Sequence, residues 1–300
     1  MSIFEVKINN EISLKGNEFL LPNPKAHVLA ITGMNEHSLR YANFAKELNE
    51  AGYSFSMFDH FGQGENAKNI DDLEKWPKDA WNMMLKALNI KVNELRKDGI
   101  PVYLMGHSMG SFAMQAYLET YPNTIDKIII MSSNGKNNKL AFNMGYMITR
   151  ITTTKKNWDK EDKLMAKLSL GGYVKAVKDR KSDNDWLSYN LENVQNYNDD
   201  PYCGHYNTHG FFYGFMEGLH ELYKKKNLKK ISKDEKILIV AGEDDPVGAS
   251  SKGPKSLEKM YKSLGVKNVT LKLYPKMRHE ILNEVERDKV VSDIIHFLDK

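Results

Sequence analysis

Six short aliphatic runs alternate with helical patterns along this chain of 300 residues, and the rhythm breaks once. Ala26–Thr32 (AHVLAIT), Tyr53–Asp59 (YSFSMFD), Pro101–Met105 and Asp126–Ser133 (DKIIIMSS) read as buried strands. Helical patterns at Arg40–Gly52, Asp72–Lys97 and Ser111–Tyr121 separate them. In the second of these, Trp81, Met84, Leu85, Leu88, Val92 and Leu95 recur at helical spacing, and Pro122 stops the third. Such alternation specifies an α/β fold with a mostly parallel central sheet flanked by helices. After Ser133 no run reads as strand until about Lys233. Helical stretches rich in Lys and Asn take over, with exposed-looking aromatics at Trp158, Tyr173, Trp186 and Phe211 to Tyr213. The rhythm then resumes with Glu235–Gly242 (EKILIVAG), a helix over Ser251–Leu264, the strand Val269–Pro275 and an amphipathic helix ending near Leu298. Two late strands are too few for a sheet of their own, so they complete the first. The expected organisation is one core in two parts, residues 1–134 and 234–300, with residues 135–233 inserted as a helical cap.

Composition narrows the roles open to such a fold. With 41% hydrophobic and 27% charged residues the chain can bury a large core. The net charge of +4 is small and the lysines are interleaved with acids, as in KKNLKKISKDEK, which argues against a nucleic-acid partner. Glu5, Lys7 and Glu11 interrupt the opening stretch, leaving no apolar segment of signal-peptide length, and no run approaches the roughly 18 apolar residues of a membrane span. A soluble protein is expected, without stable membrane anchoring, although transient contact with a membrane-borne substrate fits. The one cysteine, Cys203, excludes an internal disulfide and suits the cytoplasm. Oligomeric state is not readable from these features.

In VYLMGHSMGSFAMQAYLETYP (Val102–Pro122) a serine stands between two glycines, directly after a strand and directly before a helix. The pattern Gly106-x-Ser108-x-Gly110 recurs by chance, but this setting is that of a nucleophile elbow. The turn holds the serine in a strained conformation at the carboxyl end of a central strand, where open α/β sheets bind ligands. Gly106 and Gly110 permit close packing that a side chain would block. The bland alternative is a Gly-rich turn without chemistry.

A serine hydroxyl near neutral pH needs a base, and the base needs an orienting group. Among nine histidines, the chain order Ser, acid, His selects His279, in a loop between the last strand and the last helix. His107, the variable residue of the elbow, is expected to line the helix start, and His296 to pack within the last helix. The acid should follow Glu235–Gly242, where Asp244 and Asp245 compete; adjacent side chains diverge, and pattern alone leaves both open. An oxyanion hole would use the backbone N–H groups of Met109 and of Met34, the latter in the loop Ile31–His37 that Gly33 allows to turn. That loop lacks the glycines and Lys of a phosphate-binding loop. His205 and His209 lie near Cys203, but no further ligand completes a metal spacing, and no metal is expected.

Assembled, these segments resemble the α/β-hydrolase superfamily, and within it the monoacylglycerol lipase and lysophospholipase group. The resemblance runs over roughly residues 25–298 and rests on GMNEHSLRY, DHFGQGEN, GHSMGS, GEDDPVG and MRHEILNE. It implies an α/β-hydrolase fold, with Ser108 as nucleophile, Asp245, immediately before Pro246 and Val247, as acid, and His279 as base. Met34 and Met109 would supply the oxyanion amides. Two departures stand out: Thr32 replaces the usual histidine before the oxyanion glycine, which bears on how that loop is braced, and Asn66 replaces a serine in a turn. The segment Asp185–Gly204 is also similar to bacterial lysophospholipase-like members.

The resemblance implies a serine esterase, without cofactor, acting on a carboxylic ester such as an acyl-glycerol or lysophospholipid. Met144, Met147, Phe211, Phe212, Phe215 and Met216 are candidates for an acyl pocket, with ordinary helix packing as the alternative. Rival readings are an aminopeptidase, thioesterase or acyltransferase on the same fold, or a homologue that binds ligand without turnover.

Overall fold

The computed structural model describes residues 1–136 and 139–300; residues 137 and 138, near the start of the expected insertion, lie outside the described residues. Eight strands form one sheet: β1 (Ser2–Lys7), β2 (Ser13–Phe19), β3 (Ala26–Ile31), β4 (Tyr53–Phe58), β5 (Val102–His107), β6 (Lys127–Met131), β7 (Lys236–Gly242) and β8 (Asn268–Tyr274). Their order is β1-β2-β4-β3-β5-β6-β7-β8. The six from β4 to β8 are parallel, and β2 joins β4 antiparallel. The β1–β2 hairpin is an addition to the expected strands. It is visible in retrospect as Phe4, Val6 and Ile8 turned inward between outward Ile3, Glu5 and Lys7, a period of two that a search for continuous apolar runs passes over.

Buried parallel strands need apolar side chains on both faces, which is why β3 to β7 read as continuous aliphatic runs. Leu29, Ile31, Leu104, Ile128, Ile130, Ile237 and Ile239 join a core with α2 (Ala80–Leu95) and α3 (Met109–Thr120). Val28, Ala30, Met105, Ile129, Leu238 and Val240 join a second core, on the opposite face, with α1 (Ala42–Glu50) and the last helix, Arg287–Asp299. Helix α2 starts eight residues later than the periodicity suggests. Pro77 lacks an N–H and holds Trp76 out of helical geometry, so the segment before Ala80 turns instead and Trp76 is buried.

Between β6 and β7 the described residues form five α-helices: α4 (Lys139–Thr152), α5 (Lys163–Ala176), α6 (Leu191–Asp199), α7 (His209–Glu221) and α8 (Lys225–Leu228). The β-structure within this block, among the described residues, is the isolated bridge Glu161–Thr208. Phe211 and Phe212 are fully buried and not exposed as expected, because α7 lies between the block and the core, with Phe211 packed on Trp76 at 4.5 Å between ring centroids. Helices α9 (Lys252–Ser263) and α10 (Arg287–Asp299) complete the fold. His296 on α10 is exposed, not packed, since the helix buries Val290, Val291, Ile294 and Leu298 on another face. Among the described residues no helix is long and apolar enough to cross a membrane.

Strand order also creates the site. From β3 the chain steps outward to β4, then returns to place β5 on the other side of β3. The loops after β3 and β5 therefore part at their carboxyl ends and leave a crevice. Met34 stands on the first loop and Ser108 on the second.

Candidate active site

Ser108 adopts φ 52° and ψ −116°, a conformation that a non-glycine residue holds only when its surroundings enforce it. Its N–H donates to the Met131 carbonyl at 3.0 Å, and its carbonyl accepts from the N–H of Ser111 at 2.9 Å. The two flanking glycines are required sterically. A Cβ on Gly106 would overlap the Gly110 backbone, and one on Gly110 would overlap the carbonyl oxygens of Ile31 and Thr32. The elbow can thus exist only where β5, α3 and β3 meet. Met109 opens α3, so its N–H has no acceptor within the helix.

His279 lies in the loop between β8 and α10, with 2% of its side chain exposed, and its Nδ1 is 3.0 and 3.1 Å from the two carboxylate oxygens of Asp245. Asp245 is fully buried and also accepts the Val247 N–H at 2.9 Å. Asp244 turns outward and accepts the Tyr189 hydroxyl at 3.0 Å. Ser132, itself at φ 52°, donates its hydroxyl to the His279 carbonyl at 2.6 Å. The His279 ring stands between Trp186 and His107, with centroids at 5.1 and 4.8 Å. Among the described residues no hydrogen bond joins Ser108 Oγ to that ring, but both line one cavity.

The loop after β3 is held by a buried charge network that the sequence reading did not assign. The Glu36 carboxylate accepts the Gly33 N–H at 2.6 Å and the Tyr41 hydroxyl at 2.9 Å, and His107 Nδ1 lies 2.9 Å away. Arg40 bridges Glu36 at 3.0 Å and Glu280 at 2.6 Å, and Asn193 of α6 donates to Glu280 at 2.7 Å. Burial alone would raise the Glu36 carboxyl, but His107, Arg40 and the Gly33 N–H outweigh it and hold the group at about 2. Burial would likewise lower His107, and the Glu36 charge reverses this, so the imidazole stays protonated above its ordinary range. His107, next to the residue that caps α3, thus also faces the Glu36 carboxylate of the β3 loop. Its Nε2 also reaches the His279 carbonyl at 3.2 Å.

The two departures from the resemblance have local answers. The Thr32 carbonyl accepts from His60 Nε2 at 2.8 Å, so His60, kept neutral by burial at about 4, braces the loop from below. Asn66 ties its turn to β2 and to the end of β4: its Oδ1 accepts the Lys15 N–H at 2.9 Å, and its Nδ2 donates to the carbonyls of Lys15 at 3.1 Å and Asp59 at 2.9 Å.

Ser108, His279, Met34 and Met109 all line a cavity of about 1020 Å³ under the inserted helices. Phe112, Phe142, Met144, Ile148, Phe215 and Met216 supply its apolar wall. Of the acyl-pocket candidates, Met144, Phe215 and Met216 face it, Met147 faces solvent, and Phe211 and Phe212 belong to the core. His205 and His209 do not converge on Cys203: His205 bonds the Pro201 carbonyl at 2.8 Å and His209 pairs with Asp162 at 2.9 Å.

Comparison with known proteins extends this picture. The family described as serine aminopeptidase, S33, matches residues 22–286. The monoacylglycerol lipase of Mycolicibacterium smegmatis is 24% identical over 282 residues, covering 92% of this chain and 89% of the relative. The monoglyceride lipase of Saccharomyces cerevisiae is 25% identical over 296 residues, covering 92% and 85%. Among solved structures, a carboxyl esterase from Bacillus coagulans superposes with a TM-score of 0.88 at 23% identity, covering 100% of this chain and 98% of the other.

Proposed function

Because this chain belongs to the serine aminopeptidase S33 family and has the α/β-hydrolase fold, we propose that it is a serine esterase whose substrates are carboxylic esters with a fatty acyl chain. Monoacylglycerols and lysophospholipids are the substrate classes that fit. The observation that carries the reading is the apolar cavity of about 1020 Å³ with Ser108 and His279 in its wall.

In this mechanism Asp245 engages His279 Nδ1, leaving Nε2 to take the Ser108 proton as the hydroxyl oxygen attacks the ester carbonyl. The Met34 and Met109 N–H groups stabilise the oxyanion. Asp245 stabilises the imidazolium, which returns the proton to the departing alcohol. Water deprotonated by His279 then attacks the acyl-enzyme, the fatty acid leaves and Ser108 is restored. No step needs a cofactor.

The inserted helices act as a cap over the acyl chain. On α4, Leu140, Met144, Met147 and Ile151 form an exposed apolar stripe, with Ile151 80% exposed, and Met144 belongs to both the stripe and the cavity wall. Substrate entering from a lipid aggregate would pass over this stripe. An aminopeptidase would need a free carboxylate for the substrate ammonium. Of the carboxylates that line the cavity, Glu36 and Glu280 are taken by His107 and Arg40, and Asp183 lies 3.5 Å from Arg180.

The test is labelling by a fluorophosphonate probe with p-nitrophenyl esters of increasing chain length. Wild type should label, Ser108→Ala should not, and turnover should favour medium or long acyl chains over acetate. Folded wild-type protein that fails to label would sink the reading. Cleavage of aminoacyl anilides in preference to esters would move it to the peptidase.

A further inference from the structure

His37, Asp200 and Cys203 lie far apart in sequence and meet beside the inserted block. His37 caps the short helical turn Ser38–Tyr41 after the β3 loop, while Asp200 and Cys203 frame the turn that follows α6. His37 Nε2 is 2.8 Å from Asp200 Oδ2, and one donor atom from each of the three residues lies within 4.8 Å of the others. Cys203 is 8% exposed. Among the described residues this is the group in which imidazole, carboxylate and thiol converge. We propose that these three side chains form a binding site for a borderline divalent cation, Zn²⁺ foremost, with water as fourth ligand.

The donor types select the ion. One nitrogen, one oxygen and one sulfur suit zinc or cobalt, whereas calcium and magnesium require oxygen donors throughout. Zinc bonds of 2.0 to 2.3 Å place tetrahedral ligand atoms about 3.3 to 3.8 Å apart. The His37–Asp200 gap must therefore open by about half an ångström and the sulfur draw inward. On binding, the Cys203 S–H gives its proton to solvent, and the ion replaces the His37–Asp200 hydrogen bond.

The surrounding backbone is already in place for this. Asp200 Oδ1 accepts the Tyr202 N–H at 2.8 Å, which leaves Oδ2 facing His37, and the Cys203 N–H closes the turn on the Asp200 carbonyl at 3.1 Å. Gly204 N–H and Tyr197 hydroxyl both donate to the Asn35 carbonyl, at 3.1 and 2.9 Å, so the two halves of the site are joined without the metal. Arg40 is the nearby cation, and its charge is balanced by Glu36 and Glu280. A bound ion would clasp the turn after α6 to the segment that carries Glu36.

The test is titration of the metal-free full-length protein with Co²⁺, then Zn²⁺, followed by absorption and by thermal denaturation. Co²⁺ should raise a thiolate-to-cobalt charge-transfer band in the near ultraviolet that Zn²⁺ abolishes. Excess Zn²⁺ should raise Tm by about 2 °C or more, and excess Mg²⁺ should not. Cys203→Ser should lose the band and Asp200→Asn should weaken Zn²⁺ binding at least tenfold, each with its metal-free Tm measured to establish folding. His205→Ala should bind as wild type does. Absence of the band in wild type overturns the site. So does a Zn²⁺-dependent rise in Tm that persists in Cys203→Ser, or one that depends on His205.

Discussion

His279 Nδ1 stands 3.0 Å from Asp245 Oδ2, while the carboxylate next in the chain, Asp244, turns the opposite way to the Tyr189 hydroxyl. Adjacent side chains on this loop thus face a buried imidazole and a solvent-facing groove. Asp245→Asn keeps the shape but not the charge that holds the imidazole tautomer. It should lower kcat on a p-nitrophenyl ester by on the order of 10⁴. Asp244→Asn should leave kcat within about threefold, since it touches only the rim. Equal losses in the two variants would refute the assignment.

Glu36→Gln tests whether the buried network positions the loop proposed to carry the Met34 oxyanion amide. The amide cannot balance Arg40 and His107, and a broken buried ion pair costs about 3 to 5 kcal/mol. Turnover should fall at least tenfold with KM little changed, because in the proposed mechanism the Gly33 anchor acts on the oxyanion and not on substrate binding. The stability gap to wild type should also depend on pH. A depressed Glu36 contributes above its ordinary 4.5 and loses that contribution as pH falls toward about 2. A raised His107 contributes fully below its ordinary 6.5 and loses its part as pH rises through the raised value. Denaturation curves should therefore show the widest gap between about pH 4.5 and 6.5. A gap that widens steadily into alkali would contradict a charged His107.

Glu74 presents the opposite sign. Burial pushes its carboxyl from 4.5 to about 8, against the amide donors of Gln63 and Asn207. The folded state then holds a proton that the unfolded chain releases, so stability falls as pH rises from 4.5 to about 8 and falls no further above it. Glu74→Gln has no proton to lose. Its Tm relative to wild type should rise across that window, and a difference that stays flat from pH 5 to 8 would mean that Glu74 is ionised in the fold.

Much of the candidate site's geometry was legible because it is tied to local backbone. Ser108 needs a strand, a sharp turn and a helix within a few residues, and Gly106 and Gly110 mark the turn in the sequence. His279 and the Asp244–Asp245 pair follow strands whose aliphatic runs are equally plain. The network of Glu36, Arg40, His107 and Glu280 was not legible in this way, although GMNEHSLRY and MRHEILNE contain three of the four. Arg40 and Glu280 are 240 positions apart, and no local pattern pairs charges at that separation. Cys203 is similar: its sequence neighbours His205 and His209 bond elsewhere, while its spatial neighbour His37 comes from the β3 loop.

The inserted helices mark the limit most clearly. Their lysines and asparagines made Phe211 and Phe212 look exposed, because composition averages over a helix whose one face is entirely buried. By itself the sequence determined the alternation of strands and helices, the elbow and the order of its candidate partners, since each depends on short-range sterics and on periodic burial. Residue pattern alone left both aspartates open and the resemblance pointed to Asp245, whereas only the tertiary structure decided which side of the sheet each loop closes over and which buried charges hold Gly33. Those outcomes depend on strand order and on the low-polarity interior that forces distant charges to pair, and neither is encoded in any one segment.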